Sequence, residues 1–81
     1  MSALTAADLR AAALSDLRTR ATGTTWSMLD ILLPDVPGEP YGGYATPEQR
    51  YAVHNVTGHA LPVRVRVSAL RNALRRWAER Q

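Results

Sequence analysis

Near its last residues the chain reads Ser68-Ala69-Leu70-Arg71-Asn72-Ala73-Leu74-Arg75-Arg76-Trp77-Ala78-Glu79-Arg80. The larger apolar residues follow the i, i+3, i+4, i+7 spacing of one helical face, and the arginines, the asparagine and the glutamate occupy the other. Serine is a common first residue of such a stretch, because its side chain accepts a hydrogen bond from an unpaired backbone amide at the helix start. The stretch therefore predicts an amphipathic helix over residues 68–80, capped by Ser68.

Two more helices are predicted in the first half of the chain. Residues 6–21 follow the capping pair Thr5 and Asp8, and apolar residues recur there at every fourth position. Residues 25–33 are mostly apolar and end before a proline, which favours a helix, although so short a run also suits a strand. A helix that is apolar on nearly all sides either lies in the core or buries one side against a partner.

The middle of the chain combines a loop, a helix and an extended segment. Residues 34–46 contain three prolines and three glycines, which predicts a loop. A threonine cap and a proline at the first helical position predict a helix over 47–57; the alternative is a hairpin of residues 50–56 with 61–67. Arginine alternates with valine within 61–67, which predicts an extended segment. The expected fold is a mainly α, helix-turn-helix-like single domain of four helices, with at most one short strand or hairpin.

The composition excludes several classes of protein. With 81 residues, 46% of them hydrophobic, the chain has the size of one small globular domain. It has no cysteine for disulfides or thiolate metal sites, and His54 and His59 lack a zinc-binding spacing. No apolar run approaches the roughly 18 residues of a membrane span, and no secretion signal is evident. We therefore expect a cytoplasmic protein that contacts no membrane.

Motifs for catalysis are also missing from the sequence. There is no phosphate-binding loop, no nucleophile elbow and no pair of neighbouring carboxylates. We therefore expect a binding protein rather than an enzyme, with no cofactor and no metal.

Charge is distributed unevenly along the chain. Residues 22–47 hold three acidic residues and no cation, whereas residues 64–81 hold six arginines and one glutamate. A basic segment of this kind is typical of a nucleic-acid contact, and the alternative is a solvated basic surface. All ten cations are arginine, which is typical of a GC-rich genome such as that of an actinobacterium or one of its phages.

The predicted C-terminal helix can enter the major groove of DNA if its apolar face is packed and its polar face is exposed. We expect Arg71, Asn72 and Arg75 to face outward and contact bases, because arginine pairs with guanine and asparagine with adenine. The other predicted contacts are to phosphates and come from four arginines: Arg64, Arg66, Arg76 and Arg80.

Residues 67–77 resemble the recognition-helix segment of winged helix-turn-helix regulators, in which a serine caps a helix with an Ala-Leu-Arg-Arg ending and an aromatic residue or leucine after it. The predicted helix over 47–57 is similar to the helix that precedes it in that motif. The resemblance covers residues 46–81 and implies a regulator that binds double-stranded DNA through Arg71, Asn72 and Arg75. The connector between the two helices is longer than the usual turn, and no wing hairpin follows.

A second hypothesis is a protein-interaction module. Here the apolar helix over 25–33 and the loop from Tyr41 to Tyr44 bind a host protein or an assembly partner, with four residues as the expected contacts: Trp26, Leu29, Tyr41 and Tyr44. The same apolar helix is the expected contact in a homodimer. The tyrosine rings stack on bases or on a partner, or they fold back over the core.

Overall fold

The structure is a computed structural model that describes residues 4–23, 27–34 and 43–81. Within these residues it contains four helices: α1 (Ala6–Ala21), α2 (Met28–Leu32), α3 (Pro47–Thr57) and α4 (Val67–Glu79). The mainly helical fold class predicted from the sequence is confirmed. α1 and α3 coincide with the predicted bounds, whereas α2 is shorter than the predicted 25–33, whose first two residues lie outside the described residues.

Local capping explains where α1 and α3 begin and end. The Thr5 hydroxyl accepts a hydrogen bond from the Asp8 amide at 3.1 Å at the start of α1. At the start of α3 the Thr46 hydroxyl accepts from the Gln49 amide, and the Gln49 side chain accepts in return from the Thr46 amide. Gly58 ends α3 with a φ of +75°, a left-handed conformation that glycine adopts without steric cost.

α4 begins one residue earlier than predicted. Arg66, not Ser68, is the N-cap residue, because the Val67 amide donates to the Gly43 carbonyl at 3.0 Å and the Arg66 carbonyl accepts from the Ala69 amide. A backbone contact with a distant part of the chain therefore fixes the helix start in place of the serine side chain.

The predicted extended segment over 61–67 forms only a short pairing. Tyr44 and Arg66 make an isolated antiparallel bridge, and the Ala45 amide donates to the Val65 carbonyl at 2.7 Å. The alternative hairpin with residues 50–56 is wrong, because those residues belong to α3. In the part of the chain that is described, this bridge is the only β pairing.

The core forms around α1, which packs against α2, α3 and α4. The apolar stripe predicted on α1 is buried at Leu9 and Ala13, but it ends before Ala21, which is exposed. Trp77 is half-buried and packs against the core. The largest fully buried apolar side chains come from all four helices and the residue after α2: Leu9, Leu29, Leu33, Val53, Leu70 and Leu74. None of the described helices has the length and apolar character needed to cross a membrane.

Candidate nucleic-acid interface

α4 carries its arginines on two different sides. Its core-facing side consists of Val67, Leu70, Leu74 and Ala78, which are all buried. Arg71 and Arg75 lie at one edge of that side and are half-buried, whereas Arg76 and Arg80 are exposed. The four arginines of one helix therefore have different surroundings and different roles.

Arg71 and Arg75 turn back toward the body of the protein. The Arg71 side chain donates to the Leu33 carbonyl at 2.6 Å, and its Nε lies 3.8 Å from an Asp30 carboxylate oxygen. Arg75 contacts Asp16 at 3.2 Å and Asp30 at 3.5 Å. The prediction that both arginines face outward is therefore wrong, because two carboxylates on α1 and α2 and a carbonyl beside α2 hold their guanidinium groups.

Asp16 is the residue at the centre of this network. It is 1% exposed, accepts a hydrogen bond from the Ser27 hydroxyl at 2.7 Å, and contacts Arg75 and Arg20. Arg20 pairs with Asp16 at i, i+4 on the same helix, at 3.8 Å. A buried carboxylate requires such partners, since an unpaired buried charge is strongly unfavourable. Asp16 therefore ties α1 to α2 and α4.

The sequence contained a signal for Asp16 that was overlooked. Asp16 follows Leu9 and Ala13 at i+7 and i+3, so it lies on the apolar stripe of α1 rather than opposite to it. A lone carboxylate in an apolar stripe predicts a buried ion pair.

The exposed side of α4 combines an asparagine with two arginines. Asn72, Arg76 and Arg80 are exposed, and the Asn72 side-chain oxygen lies 3.5 Å from Arg75 as a hydrogen-bond acceptor. Arg76 and Arg80 line a cleft of about 240 Å³ between the end of α4 and the residues after α3. No described carboxylate forms an ion pair with either arginine. This side of α4 therefore presents hydrogen-bond donors and two arginines that form no described ion pair, together with the exposed carboxylate of Glu79.

Two further arginines lie in the connector that leads into α4. The guanidinium carbons of Arg64 and Arg66 lie 4.5 Å and 4.6 Å from the centre of the Tyr44 ring. Arg66 also donates to the Tyr44 hydroxyl at 3.4 Å. Both arginines are exposed, and neither pairs with a carboxylate within residues 4–23, 27–34 and 43–81. The connector thus adds two positive charges next to the start of α4.

The structure places the residues predicted to bind a protein partner in different environments. Leu29 is fully buried, so the prediction that its side chain contacts a partner is wrong: it belongs to the core instead. Trp26 and Tyr41 lie outside the described residues. Tyr44 is half-buried and its ring contacts two arginines. The exposed apolar residues of α2 are Met28 and Ile31, at 48% and 55%.

The His54 side chain makes a local contact with the backbone. His54 Nδ1 lies 2.8 Å from the His59 carbonyl oxygen, and the contact links α3 to the chain that follows it. Among the described residues no group of three metal-ligating side chains is present.

Comparison with known proteins finds no relative. No protein-family model matches the chain, and no curated protein or solved structure is significantly similar to it.

Proposed function

We propose that this chain is a small cytoplasmic DNA-binding protein, a transcriptional regulator or a phage accessory factor, that places α4 in the major groove of double-stranded DNA. The observation that carries the proposal is the sorting of charge around α4. Arg71 and Arg75 neutralise Asp16 and Asp30, so these carboxylates do not cancel the exposed cations. On α4, at its C-terminal end and in the connector before it, four exposed arginines have no described carboxylate partner: Arg64, Arg66, Arg76 and Arg80. Arg10 and Arg18 on α1 are exposed without such a partner as well.

The exposed residues of α4 differ from those that the sequence analysis expected to contact bases. Asn72 and Arg76 are exposed and four positions apart, so they are adjacent on the outer side of α4. Asparagine pairs with adenine and arginine with guanine in the major groove. Arg64, Arg66 and Arg80 flank them and are suited to phosphates on either side. The similarity of residues 67–77 to winged helix-turn-helix regulators supports this role for α4, with Asn72 retained as a reader and Arg76 in place of Arg71 and Arg75.

We expect the protein to bind mixed-sequence duplex DNA with an affinity that falls steeply with salt. Each arginine on a phosphate releases counterions, so the three phosphate contacts give a slope of log K against log salt near −3. The affinity should therefore fall by about 50-fold between 50 and 200 mM salt. Fluorescence anisotropy of a labelled duplex measures this. Absence of binding at the lowest salt would remove the proposal.

A second candidate function is protein interaction through α2. It is supported by Met28 and Ile31, two large apolar side chains that stand exposed on the same short helix. Two grooves beside them share Asp8 and Leu32 in their lining. The groove at Met28 is otherwise lined by alanines and a serine, whereas the groove at Ile31 also has polar side chains, among them Glu48. Such a surface suits a host protein or a second copy of the chain in a homodimer. The residues that line these grooves do not line the cleft beside Arg76 and Arg80, so both functions can belong to one molecule.

A further inference from the structure

Tyr44 brings two positive charges together at one point of the surface. The guanidinium groups of Arg64 and Arg66 both lie over its ring, and Arg66 also donates to its hydroxyl. An aromatic ring attracts cations through the negative charge of its face. The ring therefore offsets part of the repulsion between two arginines that would otherwise separate in solution.

The backbone beside this cluster is fixed. Tyr44 and Arg66 are paired as an antiparallel bridge, flanked by the hydrogen bonds Ala45 to Val65 and Val67 to Gly43. Arg64 lies in a bend two positions before Arg66, and both side chains reach the same ring. The ring and both arginines are therefore held in one place directly before α4.

The charges of the two arginines are not neutralised by the described part of the chain. No carboxylate there pairs with Arg64 or Arg66, and no hydrogen bond from Arg64 occurs there. Each guanidinium group presents several N–H donors in a planar fork that matches the oxygens of a phosphate.

We infer that Tyr44, Arg64 and Arg66 form a preorganised phosphate-binding site, in which Tyr44 positions the two arginines and does not itself stack on a base. The inference deepens the proposed DNA-binding function and rests on it for the natural ligand, a phosphodiester of the DNA backbone. A phosphate held here, next to the first turn of α4, fixes the depth and register of the helix in the groove.

The test is a double-mutant cycle on duplex binding. Tyr44→Leu leaves every arginine in place, and we expect it to raise the Kd about five- to tenfold. Tyr44→Phe keeps the ring and should stay within about twofold. Arg64→Gln with Arg66→Gln should raise the Kd about 30-fold, since each lost phosphate contact costs about a factor of five at 0.15 M salt. Adding Tyr44→Leu to that pair should change nothing further, because the ring acts only through the two arginines.

The matched control is Tyr51→Leu, which removes an exposed tyrosine from α3. It should leave the Kd unchanged. Two results would overturn the inference. One is that Tyr44→Leu raises the Kd by the same factor with and without Arg64 and Arg66. The other is that the wild-type protein binds DNA and Tyr44→Leu alone leaves the Kd unchanged. Thermal unfolding of each variant shows whether a change in Kd comes from loss of folding.

A second measurement separates this inference from the DNA-binding proposal. Inorganic phosphate is titrated while the Nε–H signals of Arg64 and Arg66 are followed by NMR. We expect saturable shifts in the wild type that are much weaker in Tyr44→Leu. Shifts of this kind in a protein that binds no DNA would retain the site, with a free phosphate compound as its ligand, and reject the proposed function. No shifts, or equal shifts in both proteins, would reject the site.

Discussion

Replacing Asp16 by asparagine is expected to lower the melting temperature by roughly 10–20 °C. The substitution removes the negative charge that Arg75 contacts at 3.2 Å and weakens the acceptor of the Ser27 hydroxyl. Breaking a buried ion pair costs about 3–5 kcal/mol, and the lower part of that range applies because Arg75 keeps its contact with Asp30. For a domain of this size, 1 kcal/mol corresponds to about 4–8 °C.

Thermal unfolding followed by circular dichroism measures this effect. Asp8→Asn is the matched control, because Asp8 is an exposed carboxylate on the same helix and contributes only through the helix dipole. It should lower the melting temperature by no more than a few degrees. If Asp16→Asn behaved like Asp8→Asn, the network that joins α1, α2 and α4 would not contribute as described.

The second large effect is expected when two pairs of arginines of α4 are replaced separately, because one pair should affect DNA binding and the other stability. Arg76→Gln with Arg80→Gln should lower the affinity for duplex DNA about 30-fold at 0.15 M salt and leave the melting temperature unchanged. Arg71→Gln with Arg75→Gln should instead lower the melting temperature clearly, because it removes the two guanidinium groups of α4 that pair with Asp16 and Asp30. Its effect on the affinity of the folded protein should stay within about threefold.

This comparison is informative because both variants remove two charges from α4. A loss of affinity that depended only on net charge would be equal in the two variants. Equal losses, or a larger loss in the Arg71 and Arg75 variant, would contradict the separation of the arginines into an internal pair and a surface pair. Both affinities are measured by anisotropy below the melting transition of the weaker variant.

Sequence reasoning succeeded where the determinants are local. The limits of α1 and α3 follow from capping residues within three positions of the helix start, and these signals act in any context. The amphipathic character of α4 was predicted from its spacing in the same way. Its start was missed by one residue, because the Val67 amide pairs with Gly43, 24 positions earlier in the chain.

The direction of the arginines could not be predicted from α4 alone. Arg71 contacts a carbonyl 38 residues away, and Arg75 contacts a carboxylate 59 residues away. On an isolated helix both side chains lie between the apolar and the polar face, and only the positions of Asp16 and Asp30 decide which way they turn. Leu29 was misassigned for the same reason: which side of the apolar helix α2 is covered depends on where α1 packs.

We propose that the exposed side of α4 and the connector before it bind DNA. The most direct test of this proposal is an NMR titration of the ¹⁵N-labelled protein with mixed-sequence duplex DNA at low salt. We expect the largest shifts on five residues of that surface: Arg64, Arg66, Asn72, Arg76 and Arg80. Met28 and Ile31 on α2 should shift little. An unchanged spectrum, or shifts concentrated on α2, would contradict the proposal.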